Sequence, residues 1–440
     1  MNGGYVMSKK ITAIVIGAGM RGMGYSNTAK QLPEDYEIVA VAEPVDCRRN
    51  HIKEQWGIPD DRCFTHYDEI LALGKIADAA IICTMDRDHF APTMKAIELG
   101  YDIMLEKPIA PTPEQCAAIT KAANAKGVKV LICHVLRFTP FYGRLKQMIM
   151  DGMVGEVQAL QQIEQVGLVH QSHSFVRGNW GNEGRSSCML LQKSCHDIDI
   201  IQWLLDKKCE RVSSFGGLRY FTEENAPAGA PERCLDGGCP IADTCPFHTD
   251  KLYLHPPVGS GYASWFRNSA TKMIKSTDEA VLEALKTTNY GKCVYRCDND
   301  VVDRQVVNME FEGGVVASFT MTAFTGGLGG RFIRVMGTKG AITARMGDET
   351  VTYDDFITGK TTQIPVVGGT GETSIVGGHG GGDLGIMGVF GKLVANEYDG
   401  VAAATISVSC DNHMIVFAAE EARKEGTVVS VPEFAARYGI

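Results

Sequence analysis

The chain has no run of about 18 consecutive apolar residues, the length that a membrane-spanning helix needs. Its start, MNGGYVMSKK, lacks the apolar core of a secretory signal. It also lacks a long basic run, and its net charge of −9 argues against nucleic acid as a partner. We therefore expect a cytoplasmic protein that binds neither membranes nor nucleic acids.

The composition shows no strong bias. Apolar residues make up 45% and charged residues 22% of the chain, as in ordinary soluble globular proteins. No internal repeat and no low-complexity segment stands out. Because 440 residues exceed the size at which a single core keeps growing, two domains are expected.

The fourteen cysteines include no Cys-x2-Cys pair. Several lie in apolar segments, where a reduced cysteine behaves as a small hydrophobe. In a region rich in Pro, Gly and Cys, three cysteines are candidate ligands of a structural zinc ion, namely Cys234, Cys239 and Cys245. Packed free thiols are the alternative, since the spacing differs from that of common zinc sites.

A glycine-rich turn follows the apolar run at residues 11–16. Gly17 permits a tight turn after a strand, Gly19 lets the backbone approach a pyrophosphate, and Gly22 allows close packing of helix against strand. Met20 and Arg21 open the next helix, whose unpaired N–H groups attract a diphosphate. The pattern predicts a dinucleotide site.

Glu43 ends the second apolar run, 21 residues after Gly22. A carboxylate at this position can accept hydrogen bonds from both ribose hydroxyls, and it repels a 2′-phosphate. The sequence therefore favours NAD over NADP.

Strand-like and helix-like segments alternate up to about residue 134. Strands are predicted at 11–16, 37–42, 78–83, 101–105 and 128–133, with helices such as 90–99 and 113–126 between them. This alternation predicts an α/β domain with a doubly wound parallel sheet, in which ligands bind beyond the carboxyl ends of the strands. Glu43, Thr84 and the Glu106-Lys107-Pro108 tripeptide all follow such ends.

The pattern changes in the second half. Residues 154–167 and 301–324 show partial period-two alternation, which is typical of antiparallel strands with one solvated face. A helix is predicted at 196–205, and the irregular stretch at about 222–262 is interpreted as an ordered insertion. The second domain is therefore expected to be α+β, with an open, mainly antiparallel sheet.

Together these motifs resemble the Gfo/Idh/MocA family, named for glucose-fructose oxidoreductase, inositol dehydrogenase and a rhizopine catabolism protein. The matching pieces are the glycine turn and residues 83–89, 106–108, 134–137 and 196–199, in the family's order and spacing. The resemblance implies a Rossmann domain, a tightly held nicotinamide cofactor, and carbohydrate or cyclitol substrates. It also implies an open sheet that often forms an oligomer interface, so we expect a homodimer or homotetramer.

On this resemblance, residues 1–134 form the NAD-binding Rossmann domain. Residues 135–440 then form the substrate-binding and oligomerisation domain, which includes the insertion. The further cofactor-binding candidates are Thr84, His89, Glu106, Lys107 and Arg137.

Oxidation of a secondary alcohol needs a hydride acceptor and a base for the hydroxyl proton. Lys107 would lie beside the nicotinamide, where partial desolvation lowers a lysine pKa toward the range of acid-base catalysis. His196 would match the family's active-site histidine. The family's aspartate four residues earlier is here Gln192, and the adjacent Lys193 is a candidate second cation that binds a substrate oxygen or lowers the pKa of Lys107.

Substrate-binding candidates are polar or aromatic, because a polyhydroxylated ligand needs many polar partners and one apolar surface. They are His170, His173, Arg177, Trp180, Asp199 and His379. A divalent metal held by His170, His173 and His196 is an alternative. Packing of these side chains in a polar loop is another.

We expect an NAD-dependent oxidoreductase that acts on a ring hydroxyl of a sugar, cyclitol or glycoside. The alternative is a redox-neutral enzyme that cleaves glycosides through transient oxidation by bound NAD, a keto-sugar and elimination. A nucleotide-sensing module without catalysis is a third reading, against which Lys107 and His196 argue.

Overall fold

The computed structural model describes residues 9–327, 329–367, 378–400 and 403–440. The first sheet is parallel and has six strands in the order β3-β2-β1-β4-β5-β6. Its strands are β1 (Ile11–Ile16), β2 (Tyr36–Ala42), β3 (Cys63–Phe64), β4 (Ala79–Ile82), β5 (Asp102–Leu105) and β6 (Val130–Ile132). The connecting helices are α1 (Met20–Lys30), α2 (Asp46–Trp56), α3 (Tyr67–Leu71), α4 (Phe90–Leu99) and α5 (Pro113–Lys126).

The second sheet is mixed and has nine strands in the order β14-β13-β12-β11-β7-β10-β9-β8-β15. Within this second sheet, only the β7–β10 pair is parallel among the pairings of the described residues. The strands are β7 (Val157–Gln165), β8 (Cys209–Gly217), β9 (Arg304–Phe311), β10 (Val315–Thr322), β11 (Gly330–Gly337), β12 (Gly340–Arg345), β13 (Thr350–Asp355), β14 (Lys360–Pro365) and β15 (Val429–Ser430). These two sheets confirm the predicted fold class.

Within the described residues, nine helices follow the Rossmann strands. They are α6 (Pro140–Met150), α7 (Leu168–His170), α8 (Met189–Gln192), α9 (Cys195–Leu205), α10 (Ala263–Thr271), α11 (Asp278–Thr287), α12 (Gly382–Val394), α13 (Ile406–Glu425) and α14 (Val431–Ala436). A π-helical segment, Gln171–Arg177, continues α7. Among the described residues, no helix is both long enough and apolar enough to cross a membrane.

Local sequence signals explain several of these elements. Helix α5 starts at Thr112, whose side chain accepts from the N–H of Gln115, and it ends at Gly127 in the left-handed region. Strands β9 and β10 alternate buried and exposed residues, so one face of the sheet lies on the core and the other faces solvent.

One apolar core contains residues from the first strand and from helix α12. Ile386, Met387 and Phe390 of α12 pack with Ile11 and Val15 of β1 in a single apolar cluster. The first sheet is thereby completed by a helix that lies far along the sequence, and this helix brings the loop at residues 378–381 to the glycine turn.

The insertion predicted at about 222–262 is built from short turns and two helices between β8 and β9. Phe221, Phe247, Val294 and Tyr295 form its first apolar cluster. Leu252, Tyr253, Phe266 and Leu285 belong to a second cluster. The packed unit is therefore longer than the cysteine-rich stretch that signalled it, since it includes α10 and α11.

Candidate functional site

In the glycine turn between β1 and α1, Gly17 and Gly22 are closely packed against backbone atoms, whereas Gly19 borders open space. A Cβ at Gly17 would lie 2.6 Å from the Cys83 carbonyl oxygen, and one at Gly22 would lie 2.0 Å from that of Gly17. A Cβ at Gly19 would meet nothing nearer than the Arg48 side chain, at 3.9 Å. No side chain caps the start of α1. The open turn and the N–H groups at Met20 and Arg21 therefore fit a diphosphate.

Glu43 lies directly beside this turn. Its carboxylate is buried and accepts the N–H groups of Ala18 at 2.6 Å and Val45 at 2.9 Å. An ionised carboxylate has about four acceptor positions, so it retains capacity for hydroxyl donors. The buried Nε of Arg48, a residue outside the motifs that the sequence marks, has no hydrogen-bond partner in the described part of the chain.

Thr84 and His89 connect two of the strand ends. The Thr84 hydroxyl donates to the carbonyl of Asp88 at 3.0 Å. The His89 ring nitrogens lie 2.7 Å from the Pro108 carbonyl and 3.1 Å from that of Thr84. His89 is buried and thus braces the loop after β4 against the Glu106-Lys107-Pro108 segment.

Arg21 joins the glycine turn to the end of β5 and to the start of α12. Its Nε donates to Glu106 at 2.7 Å, and its two terminal nitrogens donate to Asp383 at 2.9 and 2.8 Å. Asp383 also lies 3.1 Å from Nδ1 of His379. This ion-pair network holds Lys107, the next residue after Glu106, at the crevice beyond the carboxyl ends of the parallel strands.

Lys107 and His196 lie in one cluster. The Lys107 ammonium donates to the backbone carbonyl of Gln192 at 2.5 Å. Burial, and then the positive charge of Lys107, lowers the pKa of His196 well below its ordinary value. Nδ1 of His196 is buried and has no hydrogen-bond partner within the described residues. The ring of His379 is 6.5 Å away between centroids.

Lys193 belongs to a buried network that the sequence did not reveal. Its ammonium lies 3.1 Å from Oε1 of Glu164 on β7, while Arg331 on β11 pairs with Glu164 and with Asp197. Burial lowers the pKa of Lys193, and the charges of Arg331 and Lys107 add to this, whereas Glu164 opposes it. Strands from distant parts of the chain supply these partners, so no local motif could indicate them.

Two further buried histidines lie behind His196. His134 is fully buried, its ring is 5.7 Å from that of His196, and neither ring nitrogen has a partner among the described residues. Burial lowers the pKa of His134 to about 4 and that of His413 to about 3. Both imidazoles are therefore neutral near pH 7.

Of the residues predicted to bind substrate, His170 and Trp180 lie near this cluster. His170 is partly exposed, and burial followed by the charge of Lys193 lowers its pKa. The Trp180 carbonyl accepts from the Gln192 side chain at 2.8 Å, and its indole N–H points to Asp86 at 3.3 Å.

His173 and Arg177 point into the insertion, away from Lys107. The His173 ring stacks on Phe266 at 3.8 Å and lies within hydrogen-bond distance of the Tyr253 hydroxyl. Arg177 donates to the carbonyls of Lys292 and Phe247, both at 2.9 Å. The π-helical segment turns these side chains inward, so they hold the insertion in place.

Arg137 and Asp199 pair with each other. The guanidinium donates to both carboxylate oxygens, at 2.7 and 2.6 Å, and the two side chains are almost completely buried. The amide of Asn412 also donates to Asp199 at 2.7 Å. This buried ion pair packs below Lys107 and His196, and in the described structure it does not line the crevice beyond the strand ends.

The predicted structural zinc is not supported. The described residues, which include Cys234, Cys239 and Cys245, contain no group of three His, Cys, Asp or Glu side chains able to hold a metal ion. The same finding covers the alternative metal site at His170, His173 and His196. The Arg177 guanidinium lies 3.8 Å from the Cys234 sulfur, and Cys239 and Cys245 pack against the insertion's apolar cluster. These are packed free thiols.

Family models match both parts of the chain. A model described as an oxidoreductase family's NAD-binding Rossmann fold matches residues 11–134. A second, described as the C-terminal alpha/beta domain of an oxidoreductase family, matches residues 146–407.

Curated relatives are moderately similar. The oxidoreductase YteT of Bacillus subtilis is 26% identical over 356 residues, covering 77% of this chain and 78% of YteT. Inositol 2-dehydrogenase of Corynebacterium glutamicum is 25% identical, covering 47% and 57%. The 2,7-anhydro-N-acetylneuraminate hydratase of Escherichia coli is 27% identical, covering 34% and 39%. The match therefore spans less than two thirds of the last two proteins.

A solved structure extends the likeness to the whole fold. An oxidoreductase from Agrobacterium radiobacter, crystallised with NAD+, L-tartaric acid and magnesium, superposes with a TM-score of 0.66. The match covers 97% of this chain and 99% of that one at 12% sequence identity. At this identity the likeness shows the shared architecture alone.

Proposed function

The chain belongs to the Gfo/Idh/MocA family of NAD-binding oxidoreductases, and we propose that it transfers a hydride between the nicotinamide and a ring hydroxyl carbon of a sugar, cyclitol or glycoside. The observation that carries the proposal is the cluster of Lys107, His196 and Lys193 beside the carboxyl end of β5. The Glu106–Arg21 ion pair of 2.7 Å ties this cluster to the glycine turn.

The residues around the glycine turn fit NAD. Gly17, Gly19 and Gly22 provide the space, the start of α1 provides N–H groups for the diphosphate, and Glu43 provides carboxylate oxygens for the ribose. NAD, when bound, supplies the hydride acceptor. Lys107 then lies where the strand ends converge, next to the position that this topology gives to the reactive end of a dinucleotide.

Lys107 and His196 are suited to handle the hydroxyl proton. In its unprotonated form, Lys107 is oriented by the Gln192 carbonyl, accepts a hydrogen bond from the substrate hydroxyl and takes its proton as the hydride leaves. Because burial keeps His196 neutral, its unpartnered Nδ1 is able to accept a hydrogen bond from the substrate. Lys193 binds a second substrate oxygen, since its ammonium points into the same cluster and Glu164 is its one ion-pair partner in the described structure.

A redox-neutral reaction is the second candidate. Lys193 lies close enough to Lys107 for the two charges to influence each other, and its lowered pKa gives the site a further acid-base group. Such a group removes the proton that a transient keto-sugar acidifies, a neighbouring substituent leaves with its bonding electron pair, and the hydride then returns to the carbonyl carbon. A relative that carries the name hydratase supports this candidate.

We also infer self-association through the second sheet. Phe215, Val306 and Val316 are exposed on the solvent face of β8, β9 and β10. Phe215 and Val306 are directly opposite each other on β8 and β9, and exposed apolar neighbours on an open sheet face are a feature of protein interfaces. A monomer in sedimentation analysis at micromolar concentration would overturn this inference.

Isotope tracing tests the proposed function. The purified protein is incubated with NAD and with cyclitols and glycosides that carry deuterium at one ring carbinol carbon. Deuterium that appears in NADH together with a keto product supports the dehydrogenase. A changed substrate that keeps NAD oxidised overall supports the redox-neutral candidate, and an unchanged substrate throughout the panel contradicts both.

A further inference from the structure

The insertion between β8 and β9 places an aromatic side chain at the edge of the site. Trp265 lies on α10 and is partly exposed. Its ring is 4.9 Å from that of His170 between centroids, in an edge-to-face arrangement. The insertion therefore does more than cover the surface of the second domain, because one of its helices reaches a residue next to Lys193.

The insertion is held rigidly in this position. Phe266, the neighbour of Trp265, stacks on His173 with an interplanar angle of 7°. Arg267, the next residue, donates to the Tyr253 carbonyl at 2.8 Å. Arg177 connects the π-helical segment to two carbonyls of the same unit. A side chain that is positioned in this way loses little conformational entropy when it binds a ligand.

Trp265 ends a row of aromatic rings that begins near Lys107. Trp180, whose carbonyl is bound by Gln192, lies 6.5 Å from Phe175 between ring centroids. Phe175 lies 5.3 Å from His170, and His170 lies 4.9 Å from Trp265. Trp265 is thus three ring contacts away from Trp180, at the end of the row that lies in the insertion.

The chemistry of Trp265 suits a carbohydrate or aryl ring. An indole offers a broad apolar surface for the C–H side of a pyranose or for an aromatic aglycone. Its N–H has no hydrogen-bond partner in the part of the chain that the structure describes. The neighbouring His170 and Lys193 are able to bind hydroxyl groups at the edge of such a ring.

We propose that Trp265 binds the unit attached to the reacting sugar, so that the enzyme prefers glycosides with a second ring to free monosaccharides and cyclitols. This inference rests on the proposed function, because Lys107 must mark the reacting ring. The insertion then selects substrates that carry a second ring, whereas Lys107 and His196 act on the reacting ring.

The test compares matched pairs of methyl and p-nitrophenyl glycosides of glucose and galactose, in both anomers, in the presence of NAD. The measured quantity is the ratio of kcat/KM for the p-nitrophenyl glycoside to that for the methyl glycoside. Trp265→Leu keeps an apolar side chain but removes the ring, and Trp265→Phe keeps a ring. Trp56→Leu is the control, since Trp56 lies against Lys30 in the first domain. Thermal unfolding verifies that each variant is folded.

We expect the ratio to fall by about three- to tenfold in Trp265→Leu, mainly through KM, and to be largely retained in Trp265→Phe. A ratio in folded Trp265→Leu within about twofold of wild type overturns the inference. If Lys107→Ala abolishes turnover at the same time, the proposed function stands. A wild-type protein that changes none of the eight glycosides overturns the inference alone, whereas a fully active Lys107→Ala variant overturns the proposed function and the inference with it.

Discussion

The ammonium of Lys107 donates a 2.5 Å hydrogen bond to the backbone carbonyl of Gln192. Gln192 stands where the family resemblance leads one to expect an aspartate. Its side chain turns away and donates to the Trp180 carbonyl at 2.8 Å. A main-chain oxygen thus orients Lys107, and the carboxylate that pairs with Lys193 comes from Glu164 on β7.

Glu164→Gln tests the role of this carboxylate. Glu164 raises the pKa of Lys193 against the effect of burial, so its removal lowers that pKa further. If Lys193 acts as a cation, the alkaline limb of the kcat/KM profile moves to lower pH. Glu98 is an exposed residue of α4, so Glu98→Gln is the control and leaves the pH profile unchanged. An alkaline limb that does not move in Glu164→Gln would remove Lys193 from the reaction.

Two substitutions in the glycine turn are expected to affect NAD binding and protein stability separately. Gly19→Ala places a Cβ in open space, so we expect normal thermal stability but at least about tenfold weaker NAD binding, because the methyl group occupies the diphosphate position. Gly22→Ala places a Cβ 2.0 Å from the Gly17 carbonyl and destabilises the protein without NAD by roughly 1–3 kcal/mol. Gly24→Ala, with its nearest neighbour at 3.8 Å, is the control. Equal stability of all three variants would contradict this account.

Glu43→Ala tests the ribose assignment. The variant loses the carboxylate that holds the N–H groups of Ala18 and Val45, and we expect weaker NAD binding and a smaller preference over NADP. Calorimetric titration with both cofactors measures the ratio of the two dissociation constants. Glu37→Ala, at an exposed position on the same strand, serves as the matched control. An unchanged ratio in Glu43→Ala means that the carboxylate only braces the turn.

His134 predicts a specific loss of stability in acid. Its pKa is lowered to about 4 by burial, so the unfolded chain binds one more proton than the folded chain between about pH 6.5 and pH 4. The stability contribution is complete above pH 6.5, and each pH unit below that removes about 1.4 kcal/mol for this one group.

Urea unfolding at a series of pH values measures this dependence. His134→Leu reduces the slope of unfolding free energy against pH by about one proton. His255→Asn, with 79% of its side chain exposed, leaves the slope as in wild type. A wild-type slope in His134→Leu would mean that His134 is already protonated in the folded protein.

The architecture was readable from the sequence because it depends on local patterns. Buried parallel strands appear as short apolar runs, and the alternation at residues 301–324 became the β9–β10 hairpin. Strand β3, Cys63–Phe64, was missed because two residues carry no periodicity. Lys107 and His196 were candidates from sequence because their motifs follow a strand end or open a helix.

Partners far apart in the chain were not predictable. Arg21 appeared to be a cofactor residue, yet it pairs with Asp383 through contacts that only the packing of α12 on the first domain creates. Arg177 resembled a ligand for sugars, yet the π-helical segment directs it to carbonyls of the insertion. The role of a charged side chain depends on which residues lie beside it in the folded chain. Local sequence patterns do not show which distant residues these are.

The most direct test of the account is the appearance of NADH absorbance with wild type and with Lys107→Ala, on a panel of sugars, cyclitols and glycosides with product analysis. We predict that wild type forms NADH and a keto product, and that Lys107→Ala slows hydride transfer by about a hundredfold or more while still binding NAD. Lys95→Ala, an exposed lysine on α4, retains wild-type rates. Hydride transfer at the wild-type rate in Lys107→Ala would contradict the central claim.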